Sequence, residues 1–162
     1  MRITFVCSGN VFRSVFAQEY LKKLVFENRI NNIEILSCGT IAQSNFQIPK
    51  VLYKIFNLYN IKQKSLEQHI PSKITESILD NSDLVLVMDK SHLEVIKNNY
   101  KKSLFKTFLL KEYVGILSQQ EIYDPIGQEE IVYIQTAEEI KICLEKLLEK
   151  LVLKGDNHDF KS

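Results

Sequence analysis

Short apolar runs alternate along the chain with stretches in which apolar residues recur every third or fourth position. Ile3, Phe5 and Val6 make a β-rich run that ends at Cys7 and is broken by Ser8-Gly9-Asn10. Val15, Phe16, Ala17, Tyr20, Leu21, Leu24 and Val25 follow at helical spacing, closed by Asn31-Asn32. A second strand is predicted at Ile33-Glu34-Ile35-Leu36, ended by Ser37-Cys38-Gly39-Thr40. Val51, Leu52, Ile55, Phe56 and Tyr59 predict another helix, and a polar stretch with Pro71 leads to a short helix over 74–79. Leu84-Val85-Leu86-Val87-Met88 is an unbroken apolar run, the form taken by a strand covered on both faces in a parallel sheet. A helix near 92–96 and a strand over 104–109 come next. Residues 115–130, with Gly115, Asp124-Pro125 and Gly127, read as a loop. Ile134, Ile140, Leu144, Leu147, Leu148 and Leu151 then place a C-terminal helix, with a frayed polar tail from Gly155.

Strand and helix alternating four times predict an α/β domain with a parallel sheet and helices on both faces. One domain over 1–154 and a tail over 155–162 are expected, in keeping with about 150 residues per domain. Ligands of such sheets sit at the carboxyl ends of the strands. The first strand ends at Cys7, so the expected site coincides with the least ordinary residues of the chain.

Composition narrows the partners. Hydrophobic residues are 45% and charged residues 25% of the 162, and the net charge is +1. There is no basic excess to hold nucleic acid. The N-terminal apolar stretch is too short for a signal peptide, and no run approaches the ~18 residues of a membrane span. Cys7, Cys38 and Cys143 are odd in number and widely spaced, which is neither a disulfide framework nor zinc-binding spacing. A monomer in a reducing cytoplasm, with no membrane, metal or cofactor requirement, is the expectation. Of the 21 basic residues only Arg2, Arg13 and Arg29 are arginine. Arginine grips an oxyanion with a planar fork that lysine lacks, so each Arg marks a candidate site.

The segment Cys7-Ser8-Gly9-Asn10-Val11-Phe12-Arg13-Ser14 has the form Cys-x5-Arg-Ser between a strand and a helix. A loop wrapping toward a helix N-terminus aims several backbone N–H groups inward and cradles an anion. Gly9 and Asn10 tolerate the positive φ that a tight wrap requires. Arg13 closes the cradle with a bidentate grip on phosphate. Cys7 sits at its base, where a helix N-terminus and a cation favour the thiolate, a nucleophile in line with a bound phosphoryl group. The Ser14 hydroxyl is placed to hydrogen-bond that sulfur. Cys143, beside Leu144 and Leu147, reads as core, and Cys38 as a small buried hydrophobe. A departing group needs a proton, and a carboxylic acid on a loop over the cradle supplies one. Asp124 is the candidate, although on spacing alone an Asp-Pro pair is a turn.

From Met1 to about Leu153 the sequence resembles the low-molecular-weight protein-tyrosine phosphatase family. The resemblance rests on Phe5-Val6-Cys7-x-Gly9-Asn10-x-x-Arg13-Ser14, Ser37-x-Gly39-Thr40, His69-x-x-x-x-Ile74-Thr75, Val87-Met88-Asp89 and Asp124-Pro125-x-Gly127, in that order. It implies a three-layer α/β fold, a four-stranded parallel sheet flanked by helices. It implies hydrolysis of phosphorylated protein through a phosphocysteine on Cys7, with inorganic phosphate as product. Arg13 and the amides of Ser8 to Ser14 bind the phosphate, and Asp124 is first general acid and then general base. Asn10 holds the loop, with Ser37 and His69 as its partners. No metal is implied, because Arg13 and the amides supply the positive charge.

Three positions depart from the family pattern. Phe12 stands where a second cysteine is usual, so an oxidised Cys7 lacks a disulfide partner. Val15 replaces the usual proline after Arg-Ser. Ile126 replaces the usual tyrosine after Asp-Pro, which removes one aromatic wall of the substrate cleft. A further comparison bears on substrate. Leu109-Leu110-Lys111-Glu112-Tyr113-Val114 is similar to the protein-arginine phosphatases of the family, which carry Thr at the position of Val11, whereas tyrosine-selective members carry Ile. Val11 has the shape of Thr without its hydroxyl. Phosphotyrosine is therefore the expected substrate and phosphoarginine the alternative. Arsenate reductases share the loop but relay a disulfide through two nearby cysteines, which Cys38 and Cys143 do not offer. A module that binds phosphate without turnover, its cradle distorted by Phe12, is the alternative of a different class. At the level of fold alone, a flavodoxin-like nucleotide binder is a further alternative.

Overall fold

In the computed structural model, which describes residues 1–156 and side chains as far as 153, the elements follow the alternation read from the sequence. They are β1 (Arg2–Cys7), α1 (Arg13–Glu27), β2 (Glu34–Gly39), α2 (Lys50–Leu58), α3 (Lys64–Glu67), α4 (Glu76–Asp80), β3 (Leu84–Val87), α5 (Lys90–Asn99), β4 (Thr107–Leu109), α6 (Leu110–Tyr113) and α7 (Glu130–Asp156). The four strands pair in parallel in the order β2-β1-β3-β4.

The strand pleat sends alternate residues of β1 into two separate cores. Ile3, Phe5 and Cys7 join Leu84, Leu86 and the apolar faces of α1, α2 and α7 on one side. Val6 joins Cys38, Val85, Val87 and Ile96 on the other, under α4 and α5. Thr4 also faces the second side, where its hydroxyl meets Ser82 Oγ at 2.7 Å. The chain leaves β1 for β2 on one side, then crosses to β3 on the other. The carboxyl ends of β1 and β3 thus flank the switch point where such sheets bind ligands.

Several boundaries differ from the sequence reading. The strand over 104–109 shrinks to Thr107–Leu109, because Lys101–Lys106 winds into a 3-10 helix. Thr107 Oγ1 donates to Ser103 O at 2.7 Å, and Lys106 Nζ caps Ser82 O at 2.6 Å, which holds the turn. α1 stops at Glu27 rather than at Asn31-Asn32, and the chain reverses through Arg29 (φ 55°) and Asn32 (φ 65°). Arg29 is an exposed turn residue, and Arg2 pairs with Glu34 at 2.7 Å at the amino-terminal ends of β1 and β2. Of the three arginines, Arg13 alone reaches the cradle. α7 runs on to Asp156, into the segment read as tail, and the rest of that tail, 157–162, lies outside the described residues.

The 115–130 segment is a loop as expected, and it has a buried anchor. Lys111 is 4% exposed; its ammonium donates to Gln119 O at 2.6 Å and pairs with the Glu139 carboxylate on α7. Among the described residues, no helix is long and apolar enough to cross a membrane.

Candidate active site

The end of β1 places Cys7 at the base of the loop, 3% exposed. Its sulfur lies 3.0 Å from Ser14 Oγ, and the Asn10 N–H donates to it at 3.3 Å. α1 starts at Arg13 with no side-chain cap on its first turn, so its leading N–H groups are left to face an anion.

Asn10 holds the wrap together. It is fully buried with φ 53°, the left-handed conformation that asparagine tolerates. Its Nδ2 donates to Ser14 Oγ at 3.0 Å and Ser37 Oγ at 2.9 Å, and its Oδ1 accepts the Ser72 N–H at 2.9 Å. The Asn10 carbonyl lies 2.9 Å from His69 Nε2. Ser37 and His69 thus both contact Asn10. Gly9 does not adopt the positive φ expected of it; a side chain there would meet the Phe46 ring. The close approach belongs to Gly39, where a Cβ would come within 2.4 Å of the Ser8 carbonyl. Thr40 and Ile41 N–H then donate to the carbonyls of Cys7 and Ser8, at 2.9 and 3.0 Å.

Arg13 is 2% exposed, and both of its terminal nitrogens are engaged. Nη1 donates to Asp89 Oδ2 at 2.8 Å and Ile122 O at 3.0 Å; Nη2 donates to Asp124 Oδ2 at 2.5 Å and Ser8 Oγ at 3.2 Å. Asp124 is the more exposed partner, and its other oxygen accepts the Ile126 N–H at 3.3 Å, the side-chain turn that Pro125 favours. Gly127 completes that turn with φ 83°.

Two polar residues beside the cradle escaped the sequence reading. Asp89 follows β3 and caps α5, and its carboxylate orients Arg13. Burial opposes its charge, but the Ser91 hydroxyl, His92 and Arg13 prevail and lower its pKa. His92, 1% exposed, closes the capping box from the third helical position and touches Ser8 Oγ with Nε2 at 2.9 Å. Burial, reinforced by Arg13 and opposed by Asp89 and Asp124, brings its pKa from 6.5 down to about 4. The Asp-x-x-His spacing at a strand end was the available signal, since a capping box normally carries Glu or Gln there.

The cleft over Cys7 holds about 210 Å³. Val11, Phe46, Ile41 and Ile126 wall it, with Asp124 at the mouth and Ser8 and Arg13 inside. Phe46 supplies an aromatic wall that the sequence reading lacked. Phe12 also lines the cleft, but its ring is 1% exposed and meets Tyr133 of α7 edge-on at 4.9 Å. Cys38 and Cys143 are both fully buried, and burial pushes both thiols up to about 12, with Cys7 adding to the shift at Cys38. Cys38 lies in the core opposite the one that holds Cys7, and Cys143 lies on α7 in the same core as Cys7. Among the described residues, no three His, Cys, Asp or Glu side chains cluster as metal ligands.

Cys7, the anion cradle and Asp124 thus converge on one small cleft, an arrangement suited to in-line displacement at phosphorus. Residues 2–157 match the family model described as low molecular weight phosphotyrosine protein phosphatase. A protein-arginine-phosphatase of Bacillus subtilis (strain 168) is 34% identical over 152 residues, covering 93% of this chain and 97% of that protein. The low molecular weight protein-tyrosine-phosphatase PtpB of Staphylococcus haemolyticus is 30% identical, covering 91% and 97%. Among solved structures, the low molecular weight protein tyrosine phosphatase of T. tengcongensis superposes with a TM-score of 0.84 at 31% identity, covering 93% of this chain and 99% of that one. The YwlE arginine phosphatase of Geobacillus stearothermophilus gives 0.85 at 27% identity, covering 97% and 96%.

Proposed function

The chain belongs to the low-molecular-weight phosphotyrosine protein phosphatase family, and from that premise we propose that it hydrolyses phosphotyrosine in proteins through a phosphocysteine on Cys7. In this reading the phosphoryl group enters the cradle and takes the Arg13 fork that Asp124 now shares. The Cys7 thiolate attacks phosphorus as the P–O ester bond breaks, and the Asp124 carboxyl hands its proton to the departing phenolic oxygen. Water then attacks the phosphocysteine, Asp124 takes up the water's proton, and thiolate and inorganic phosphate separate. The Ser14 hydroxyl, 3.0 Å from sulfur, stabilises the thiolate on which both steps turn. The enzyme acts as a monomer in the cytoplasm.

The observation that carries this reading is Arg13, held between the cradle and Asp124: one guanidinium addresses both the anion site and the acid. Val11 favours tyrosine over arginine, since it brings no hydroxyl to orient a phosphoguanidinium, and Phe46 offers a face for an aromatic ring. The Bacillus subtilis relative keeps phosphoarginine as the second reading. The test is turnover of phosphotyrosine and phosphoarginine peptides by the wild type and by Cys7→Ser, with mass spectrometry of quenched enzyme. Phosphorylated Cys7 and a higher kcat/KM on phosphotyrosine are expected. A wild type no faster than Cys7→Ser overturns the enzyme mechanism, and preference for phosphoarginine overturns the substrate.

A further inference from the structure

The reaction described above leaves His92 unused, although it is buried directly beneath the cleft. Its ring can carry one proton while neutral, and its contacts say where. The Asp89 N–H donates to Nδ1 at 3.3 Å, which requires a lone pair on that nitrogen. Asp89 Oδ1 also lies 3.1 Å from Nδ1, but it already accepts the Ser91 hydroxyl at 2.5 Å and the His92 N–H at 3.2 Å. With Nδ1 accepting the Asp89 N–H, the ring proton is on Nε2 and is donated to Ser8 Oγ at 2.9 Å. Arg13 Nη2 donates to the same oxygen at 3.2 Å. Two incoming donors occupy both lone pairs of a hydroxyl. What Ser8 retains is its own O–H, and it lines the cleft beside the guanidinium nitrogen that holds Asp124.

We propose that His92 is a positioning residue that fixes the Ser8 hydroxyl as a hydrogen-bond donor toward the departing atom of the substrate, and that the pair thereby favours oxygen esters over phosphoguanidines. An ester oxygen keeps lone pairs and gains negative charge as the P–O bond breaks, so it accepts this bond most strongly in the transition state. The bridging nitrogen of phosphoarginine has its lone pair drawn into the guanidinium system, and its neighbours are N–H donors. A donor fixed at that point has no partner in the bound phosphoarginine and faces its flanking N–H groups, gaining an acceptor only as the P–N bond pair passes to nitrogen, and a site whose polar group is left unpaired discriminates. The inference rests on the phosphatase reading and adds to it a source of leaving-group selectivity distinct from Val11.

The experiment compares wild type, His92→Leu, His92→Gln, Ser8→Ala and the His92→Leu/Ser8→Ala double variant. Substrates are a phosphotyrosine peptide, p-nitrophenyl phosphate and a phosphoarginine peptide. ¹⁵N NMR of the wild-type imidazole reads the tautomer directly, and a proton found on Nδ1 overturns the proposal. Loss of the Ser8 donor is expected to lower kcat on phosphotyrosine by about 5- to 10-fold, with little change in KM and little loss on phosphoarginine. Glutamine, which can present an N–H near the Nε2 position, recovers most of the loss. His92→Leu costs nothing further in the Ser8→Ala background. Equal losses on ester and phosphoguanidine, or additive effects in the double variant, overturn the proposal. If His92→Leu does not fold, Ser8→Ala alone decides by the same ratio. A wild type that ignores phosphotyrosine defeats the substrate reading, while p-nitrophenyl phosphate against phosphoarginine still reports the donor.

Discussion

Val11 is 8% exposed and stands on the cradle wall, where one hydroxyl more or less meets the substrate. Threonine has nearly its shape, so Val11→Thr changes hydrogen bonding with little change in packing. We expect the ratio of kcat/KM on phosphoarginine to that on phosphotyrosine to rise about tenfold, the worth of one oriented hydrogen bond. An unchanged ratio would remove Val11 from the account of specificity. The second single-residue prediction concerns oxidation. A sulfenic acid on Cys7 is reversible while a thiol can condense with it, and becomes irreversible at the sulfinic stage. Phe12 occupies the position nearest in sequence where a partner thiol would sit, and Cys38 lies across the sheet in the other core. Graded peroxide followed by excess dithiothreitol should leave a dose-dependent fraction of activity unrecovered. Complete recovery at every dose would show that some other group protects the sulfur.

At the scale of elements, the acid loop is suspended between Arg13 and the first turn of α7. The Gly127 N–H donates to the Tyr133 hydroxyl at 3.2 Å, and the Tyr133 ring packs edge-on against Phe12. One aromatic residue thus joins the Asp124 loop to the Cys7 loop. Tyr133→Phe keeps the ring and deletes the acceptor. The expected loss of stability is about 1 kcal/mol or less, because Gly127 is exposed to water. Turnover should fall severalfold on aryl phosphates with basic phenols and hardly at all on p-nitrophenyl phosphate, whose leaving group needs little protonation. A uniform fall across the series would mean that the tyrosine serves folding alone. This linkage also marks the limit of what the sequence made legible. The strand before Cys7 and the helix after Arg13 were readable because pattern and chemistry are contiguous there. The 3-10 winding at 101–106 was not, because Leu104 and Phe105 give an apolar run although both are exposed. Nor were the partners of Arg13 and Ser8 in Asp89 and His92, 76 and 84 residues away. No local periodicity encodes contacts made by bringing two strand ends together. Asp124 was legible only as a turn until the family pattern gave it a role, whereas Phe46 carried no signal at all.

For the molecule as a whole, the site imposes a pH dependence on the fold. His92 is buried between α5 and the cradle, with Asp89, Asp124 and Arg13 as the charges that face it. Burial outweighs the two carboxylates, and the ring titrates near 4 rather than 6.5. In the unfolded chain the same ring protonates as pH falls through about 6.5. Between these values the unfolded state binds the extra proton, so stability is greatest above 6.5 and declines toward 4. The difference amounts to roughly 2–3 kcal/mol across that window. The depressed Asp89 adds acid sensitivity of the same sign at lower pH, below its ordinary 3.8, so the two contributions separate along the pH axis. Urea midpoints measured from pH 7 to pH 4 should fall more steeply for the wild type than for His92→Gln, which has no group titrating in the window. Parallel profiles would mean that the imidazole protonates in the fold at its ordinary pH. A protonated ring could not accept the Asp89 N–H and would instead donate from Nδ1 to Asp89 Oδ1, 3.1 Å away, which redirects the carboxylate that steers Arg13. Acid is therefore expected to impair catalysis before the molecule unfolds, with the loss beginning where the imidazole first takes up its proton.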